Sequence, residues 1–135
     1  MNHWATDYIG LSWDPTGDGQ TSFNCWTFVQ DVQRKHYGGR ELPDILTNAT
    51  SDLAVARACA IESGTDRWEP VDEPEDGDCV LLCRATHPVH VGVWVRANGT
   101  AGVLHCSRGA GVVFQPPASL RASGWGRLSY YRWKQ

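Results

Sequence analysis

The 135-residue chain is one domain's worth of sequence, long enough to bury a core and too short for repeat arrays or several domains. Hydrophobic residues make up 41% and charged residues 20%, which excludes the disordered class, and no apolar run approaches the roughly 18 residues that a membrane span requires. The formal net charge of −3 hides an asymmetry: eleven of the fifteen carboxylates lie between Arg40 and Asp78, whereas Cys79 to the C-terminus carries seven cations and no Asp or Glu.

Those cations, Arg84, Arg96, Arg108, Arg121, Arg127, Arg132 and Lys134, are spaced singly. They make no dense basic footprint for nucleic acid but suit a ligand that bears carboxylates. Seven Trp exceed what a core of this size needs, so some are expected to line a groove. The start Met1-Asn2-His3-Trp4 lacks the basic-then-apolar layout of a signal peptide. The expectation is a chain made without a Sec leader, in a reducing compartment, whose five cysteines form no disulfide framework.

In chain order, a helical turn or two is predicted around Trp4 to Ile9, followed by the irregular, turn-rich loop Asp14 to Gln20. Cys25, Phe28, Val29, Val32 and His36 recur at i, i+3, i+4, i+7 and i+11, which predicts a helix that ends at Gly38-Gly39. Ser22 or Asn24 can cap it, and Cys25 then falls in the first turn. A second helix is predicted from about Ser51 to Glu62, with Gly64 as its stop. An acidic loop, Glu69 to Asp78, separates it from strands at Cys79–Arg84, Val89–Arg96, Gly102–Ser107, Val112–Gln115 and Ser129–Trp133. Helices first and strands after them indicate an α+β fold, one domain over 1–135, with helices packed on an antiparallel sheet.

The strand pattern places Val89, Val91, Val93 and Val95 on one face and His90, Gly92 and Trp94 on the other. If Asn98-Gly99 is a two-residue hairpin turn, Arg96 lies opposite Ala101, Trp94 opposite Val103, Gly92 opposite His105 and His90 opposite Ser107. His90 and His105 then share a face, and the missing side chain at Gly92 is expected to leave room for a ligand beside them.

A thiol in the first turn of a helix sees the positive end of the helix dipole, which is expected to favour the thiolate, so Cys25 is the best nucleophile candidate of the five cysteines. An imidazole beside it can take the proton, and a polar group behind that imidazole can hold its tautomer. His90 and His105 fit those two roles. Because no carboxylate follows Asp78, His105 leads as the orienting group, with Asn98 and Gln115 behind it. Structural zinc is a poor reading of Cys79, Cys83, His87, His90, His105 and Cys106. No Cys-x-x-Cys occurs, and two cysteines four residues apart on a strand lie about 13 Å from each other. No cofactor is expected.

Tyr8-Ile9-Gly10-Leu11-Ser12-Trp13, the Gly-rich loop, Phe23-Asn24-Cys25-Trp26-Thr27-Phe28-Val29, His90-Val91-Gly92-Val93-Trp94 and Val103-Leu104-His105-Cys106-Ser107 together resemble the NlpC-type cell-wall peptidases, papain-like cysteine endopeptidases that cut the peptide stems of bacterial peptidoglycan. The resemblance covers nearly the whole chain. It implies a papain-like fold with Cys25 as nucleophile, His90 as general base, His105 as orienting residue and the Cys25 backbone N–H among the oxyanion donors. It also implies substrate contacts at Trp13, Asn24, Trp26 and Gly92. The family usually carries Asp immediately before the cysteine, where this chain has Asn24. Cys25-Trp26, Glu41-Leu42-Pro43 and Tyr130-Tyr131-Arg132 look most like the tail-associated versions in phages. This implies a virion-tail location, tail-tip partner proteins and a part in genome entry.

Overall fold

An unbroken apolar run such as Cys79 to Cys83 belongs on a strand covered on both faces, and the computed structural model places it there. The structure describes residues 3–85 and 87–135, so Met1-Asn2, on which the leaderless expectation partly rests, lies outside the described residues. A short 3₁₀ turn, Trp4–Asp7, precedes β1 (Ser12–Trp13), β2 (Ser22–Phe23), α1 (Cys25–His36) and α2 (Asp52–Ser63). Then come β3 (Trp68–Val71), β4 (Cys79–Arg84), β5 (His87–Ala97), β6 (Thr100–Ser107), β7 (Gly111–Gln115), α3 (Pro117–Ala122) and β8 (Arg127–Trp133). Strands β3 to β8 form one sheet in the order β3-β8-β4-β5-β6-β7 with every neighbouring pair antiparallel, and β1 and β2 form a separate parallel pair.

Alternation along each strand builds two apolar layers. Cys79 and Leu81 of β4, Val91, Val93 and Val95 of β5, and Leu104 and Cys106 of β6 meet Cys25, Phe28, Val29 and Val32 of α1 and Val55 and Cys59 of α2. Val80, Leu82, Trp94 and Val103 face the other way, where Leu120 and Trp125 cover them. The expected α+β architecture is present; besides the two-residue strands β1 and β2, the sequence pattern hid two elements. Trp68–Val71, partly inside the predicted acidic loop, is an edge strand paired to β8, with Trp68 opposite Trp133. Pro70 is tolerated because an edge strand has free positions that need no N–H. The second hidden element, α3, is six residues long, too short to show a helical period.

Asn24 opens α1 and explains its start. Its side chain accepts the N–H of Trp26 (2.9 Å) and of Thr27 (2.8 Å), and the Thr27 hydroxyl accepts the N–H of Asn24 (2.9 Å), closing a capping box.

Asn98 and Gly99 both have positive φ, 53° and 85°, as a two-residue turn of the type matched to strand twist requires. The pairing that follows includes Arg96 with Ala101 and Trp94 with Val103, as the turn chemistry predicts, and the paired register extends to Val93 with Leu104. At the far end β5 departs from regularity. Leu82 pairs with His90 and Cys83 with Pro88, which leaves Val89 as a bulge residue. Val89 therefore leaves the valine face and is half-buried against the second layer. The space expected at Gly92 is likewise absent. A Cβ there would stand 2.6 Å from Val103 Cγ1 and 2.9 Å from His105 Cβ, so the glycine permits close strand approach and makes no ligand cavity. Gly92→Ala is accordingly expected to overpack the hairpin, costing about 1–3 kcal/mol in a denaturant titration while pushing the His105 backbone away from β5.

Candidate active site

Near the start of β5, Val89 and His90 both line a narrow cavity of about 40 Å³ together with Trp13, Cys25, Asp52 and Arg108. This cleft brings the first-turn thiol of α1 to the strand that carries His90. The backbone N–H groups of Val91, the next residue along, of Trp26 and of Cys25 itself favour the charged form of the Cys25 sulfur.

From His90 a hydrogen-bonded chain runs away from the cleft. His90 Nε2 lies 2.8 Å from His105 Nδ1, and His105 Nε2 lies 2.8 Å from Gln115 Oε1. Both rings are buried, His105 to 1% exposure. The indole of Trp125 stacks on the His90 ring at 5.2 Å with an 11° interplanar angle, and the Arg84 guanidinium sits over that indole at 4.3 Å. Because Nε2 of His90 is engaged with His105, Nδ1 is the ring nitrogen left for the cleft.

Burial decides the charge state here. It pushes the Cys25 thiol up to about 12, against the pull of the three backbone N–H groups, so the thiolate expected from the helix dipole is not the resting form. Burial, then the neighbouring His105 and Arg84, hold His90 well below 6.5, and burial lowers His105 as well. The structure thus holds a neutral thiol beside neutral imidazoles.

Beyond the narrow cleft a wider cavity of about 410 Å³ continues past His90, lined by Asp52, Arg84, Ser107, Arg108 and Trp125 among others. Arg108 donates to the carbonyls of Ala49 (3.0 Å) and Thr50 (3.2 Å) and lies 4.9 Å over the Trp13 ring, tying the β6–β7 turn to the start of α2. Trp13 therefore does border the site. Asn24 and Trp26 do not. Asn24 is fully buried, and its Nδ2 donates to Pro15 and Leu46 carbonyls at 3.1 and 3.4 Å. Trp26 is 3% exposed and donates its indole N–H to the Pro43 carbonyl at 2.9 Å. Both hold the loops around α1 in place and have no exposed surface for a substrate. Asn98 sits exposed at the hairpin tip, so of the two alternatives to His105 only Gln115 is near, and it stands behind His105. Cys59, Cys79, Cys83 and Cys106 are buried free thiols. Trp125 and Asp52 escape the sequence patterns, whereas Arg84 is one of the spaced cations expected to suit a ligand's carboxylates. Trp125 lies between Gly124 and Gly126 in an irregular stretch, where no periodicity assigns a face.

The model of the NlpC/P60 family matches residues 10–128. The chain belongs to the NlpC/P60 family. No curated protein matches the chain. NlpC/P60 proteins are generally cysteine peptidases acting on peptidoglycan, and the match spans α1, both histidines and Gln115. The family's usual Asp at position 24 would serve equally as a cap. Here the amide additionally donates to two carbonyls, and a carboxylate would meet those same oxygens as a repulsive pair.

A pH dependence of stability follows from the buried histidines. Their folded-state proton affinity is depressed, so the unfolded chain binds protons first. Stability is full above about pH 6.5 and falls as pH drops below it, by at most about 1.4 kcal/mol per pH unit for each histidine. Denaturant midpoints measured from pH 8 to pH 5 should show this decline, and His90→Gln should flatten it.

Proposed function

We propose that the protein is a cysteine endopeptidase that hydrolyses the peptide stems of bacterial peptidoglycan, with Cys25 as nucleophile, His90 as general base and His105 as the residue that orients it. The observation that carries this reading is the chain from the Cys25 cleft through His90 to His105, in which the nitrogen free for the thiol belongs to a ring fixed from behind. His90 Nδ1 takes the proton from Cys25 Sγ as the sulfur attacks the scissile carbonyl carbon. The cap of α1 uses the N–H groups of Trp26 and Thr27 and leaves that of Cys25 for the oxyanion. Collapse of the tetrahedral adduct breaks the C–N bond, the departing amine takes the proton from His90, and water then hydrolyses the thioester with His90 again as base. Arg84 and Arg108 flank the wider cavity and suit the carboxylates of a stem peptide.

The reading extends to a phage tail, where the enzyme would act at the host wall during genome entry alongside other tail-tip proteins. Its support is the resemblance of Cys25-Trp26, Glu41-Leu42-Pro43 and Tyr130-Tyr131-Arg132 to tail-associated relatives. The first two segments form one packed unit, since Trp26 and Gln30 both donate to the Pro43 carbonyl.

Digestion of purified peptidoglycan with mass analysis of the fragments tests the activity. Cleavage within the stem is expected, whereas release of whole stems from the glycan would make the protein an amidase. Cys25→Ala should leave no measurable turnover in a folded protein, and near-normal turnover by that variant overturns the thiol mechanism. His105→Ala should lower kcat strongly but less than His90→Ala does, and His105→Asn should recover part of the loss. A strong chelator should leave the rate unchanged. Because His90 is held neutral, the acid limb of kcat/KM should lie below pH 6.5.

A further inference from the structure

The relay does not stop at His105, and its far end sets the direction of every proton in it. Gln115, the last residue of β7, points its Oε1 at His105 Nε2 and its Nε2 at two hydroxyls, Ser119 Oγ (3.0 Å) and Ser123 Oγ (2.9 Å). An amide nitrogen has two protons and an amide oxygen has none. In this orientation both protons have an acceptor and the oxygen has a donor. Turned over, the amide would donate to His105, and both hydroxyls would have to donate to its oxygen.

We infer that Gln115, clamped by Ser119 and Ser123 of the α3 segment, is a positioning residue that sets the tautomers of both histidines and so keeps His90 Nδ1 unprotonated toward Cys25. With Gln115 Oε1 as its partner at 2.8 Å, His105 Nε2 carries a proton. His105 Nδ1 is then an acceptor, His90 Nε2 must be the donor to it, and the neutral His90 ring has its lone pair at Nδ1. The opposite polarity would put a proton on His90 Nδ1 and leave the ring unable to accept one from the thiol. It would also aim the His105 Nδ1–H at the His90 Nε2–H that appears once His90 becomes cationic. The inference rests on His90 as the base, and it adds that a fourth residue, 10 positions beyond His105 and away from the cleft, decides whether that base is competent.

Nitrogen-15 NMR of the histidine rings reads the tautomers directly and needs no turnover. In the wild-type chain His90 should show a protonated Nε2 and an unprotonated Nδ1. Gln115→Leu, which has no acceptor, should lose that single state and lower kcat by on the order of 10²-fold with KM within about twofold. Gln115→Glu, which can only accept, should restore the tautomer and most of kcat, and should move the acid limb of the pH profile upward because a carboxylate stabilises the cationic rings. Thermal melting of each variant separates these effects from loss of fold. A wild-type His90 protonated at Nδ1, an unchanged tautomer and kcat in Gln115→Leu, or equal impairment of the Leu and Glu variants overturns the inference. A wild-type protein that is inactive yet has the expected tautomers, lost in Gln115→Leu and restored in Gln115→Glu, would refute the catalytic reading and leave the relay standing.

Discussion

The 2.8 Å hydrogen bond between His90 and His105 is the constraint around which the C-terminal half is arranged. Two buried imidazoles on adjacent strands meet only if the hairpin register is right to the residue, because a slip of one would turn one ring to the opposite face. The two positive φ values at Asn98 and Gly99 set that register from one end. At the other end Gly92 lets β5 and β6 approach where any side chain would strike Val103 and His105. Desolvation makes the geometry consequential, since in a dry site each ring nitrogen must find a partner or remain a costly orphan.

Desolvation also settles how the thiol rests. A helix N-terminus favours an anion by about 0.3–1 kcal/mol, a small gain beside the penalty for a charged sulfur buried to 3% exposure among Phe28, Val91 and Val55. The helix dipole and the N–H groups of Val91 and Trp26 reduce that penalty without reversing it. The proposed chemistry therefore starts from a neutral pair and makes charge only as the substrate is attacked. The groups that stabilise that charge, the Cys25 N–H and the relay behind His90, are already in place.

Much of this was legible in the sequence because it rests on short-range rules. The period of Cys25, Phe28, Val29 and Val32 predicts α1, Asn24 is one of the two caps expected, and Asn98-Gly99 predicts the pairing of Arg96 with Ala101 and Trp94 with Val103. The illegible parts depend on contacts distant in sequence. Whether Asn24 and Trp26 face a substrate or the loop carbonyls of Pro15, Leu46 and Pro43 is decided by how residues 15 to 46 fold back over α1. Trp125 has no local pattern and finds its place by covering Leu82 and stacking on His90. The bulge at Val89 is invisible for the same reason: Val89 and His90 read as the start of a regular strand, and only the pairing of Cys83 with Pro88 shows that Val89 is extra.

The site lies where the two faces of the sheet meet. The helix bearing the thiol packs on the face lined by Val91, Val93 and Val95, while the two rings and the amide behind them belong to the face covered by Leu120 and Trp125. His90 keeps its regular alternation with Val91, so its ring belongs to the far face, where Nε2 meets His105, and it borders the thiol's cleft near the start of β5. One apolar layer thus supports the thiol and the other fixes the rings, so the site stands where the two packing problems share a boundary and inherits its rigidity from both.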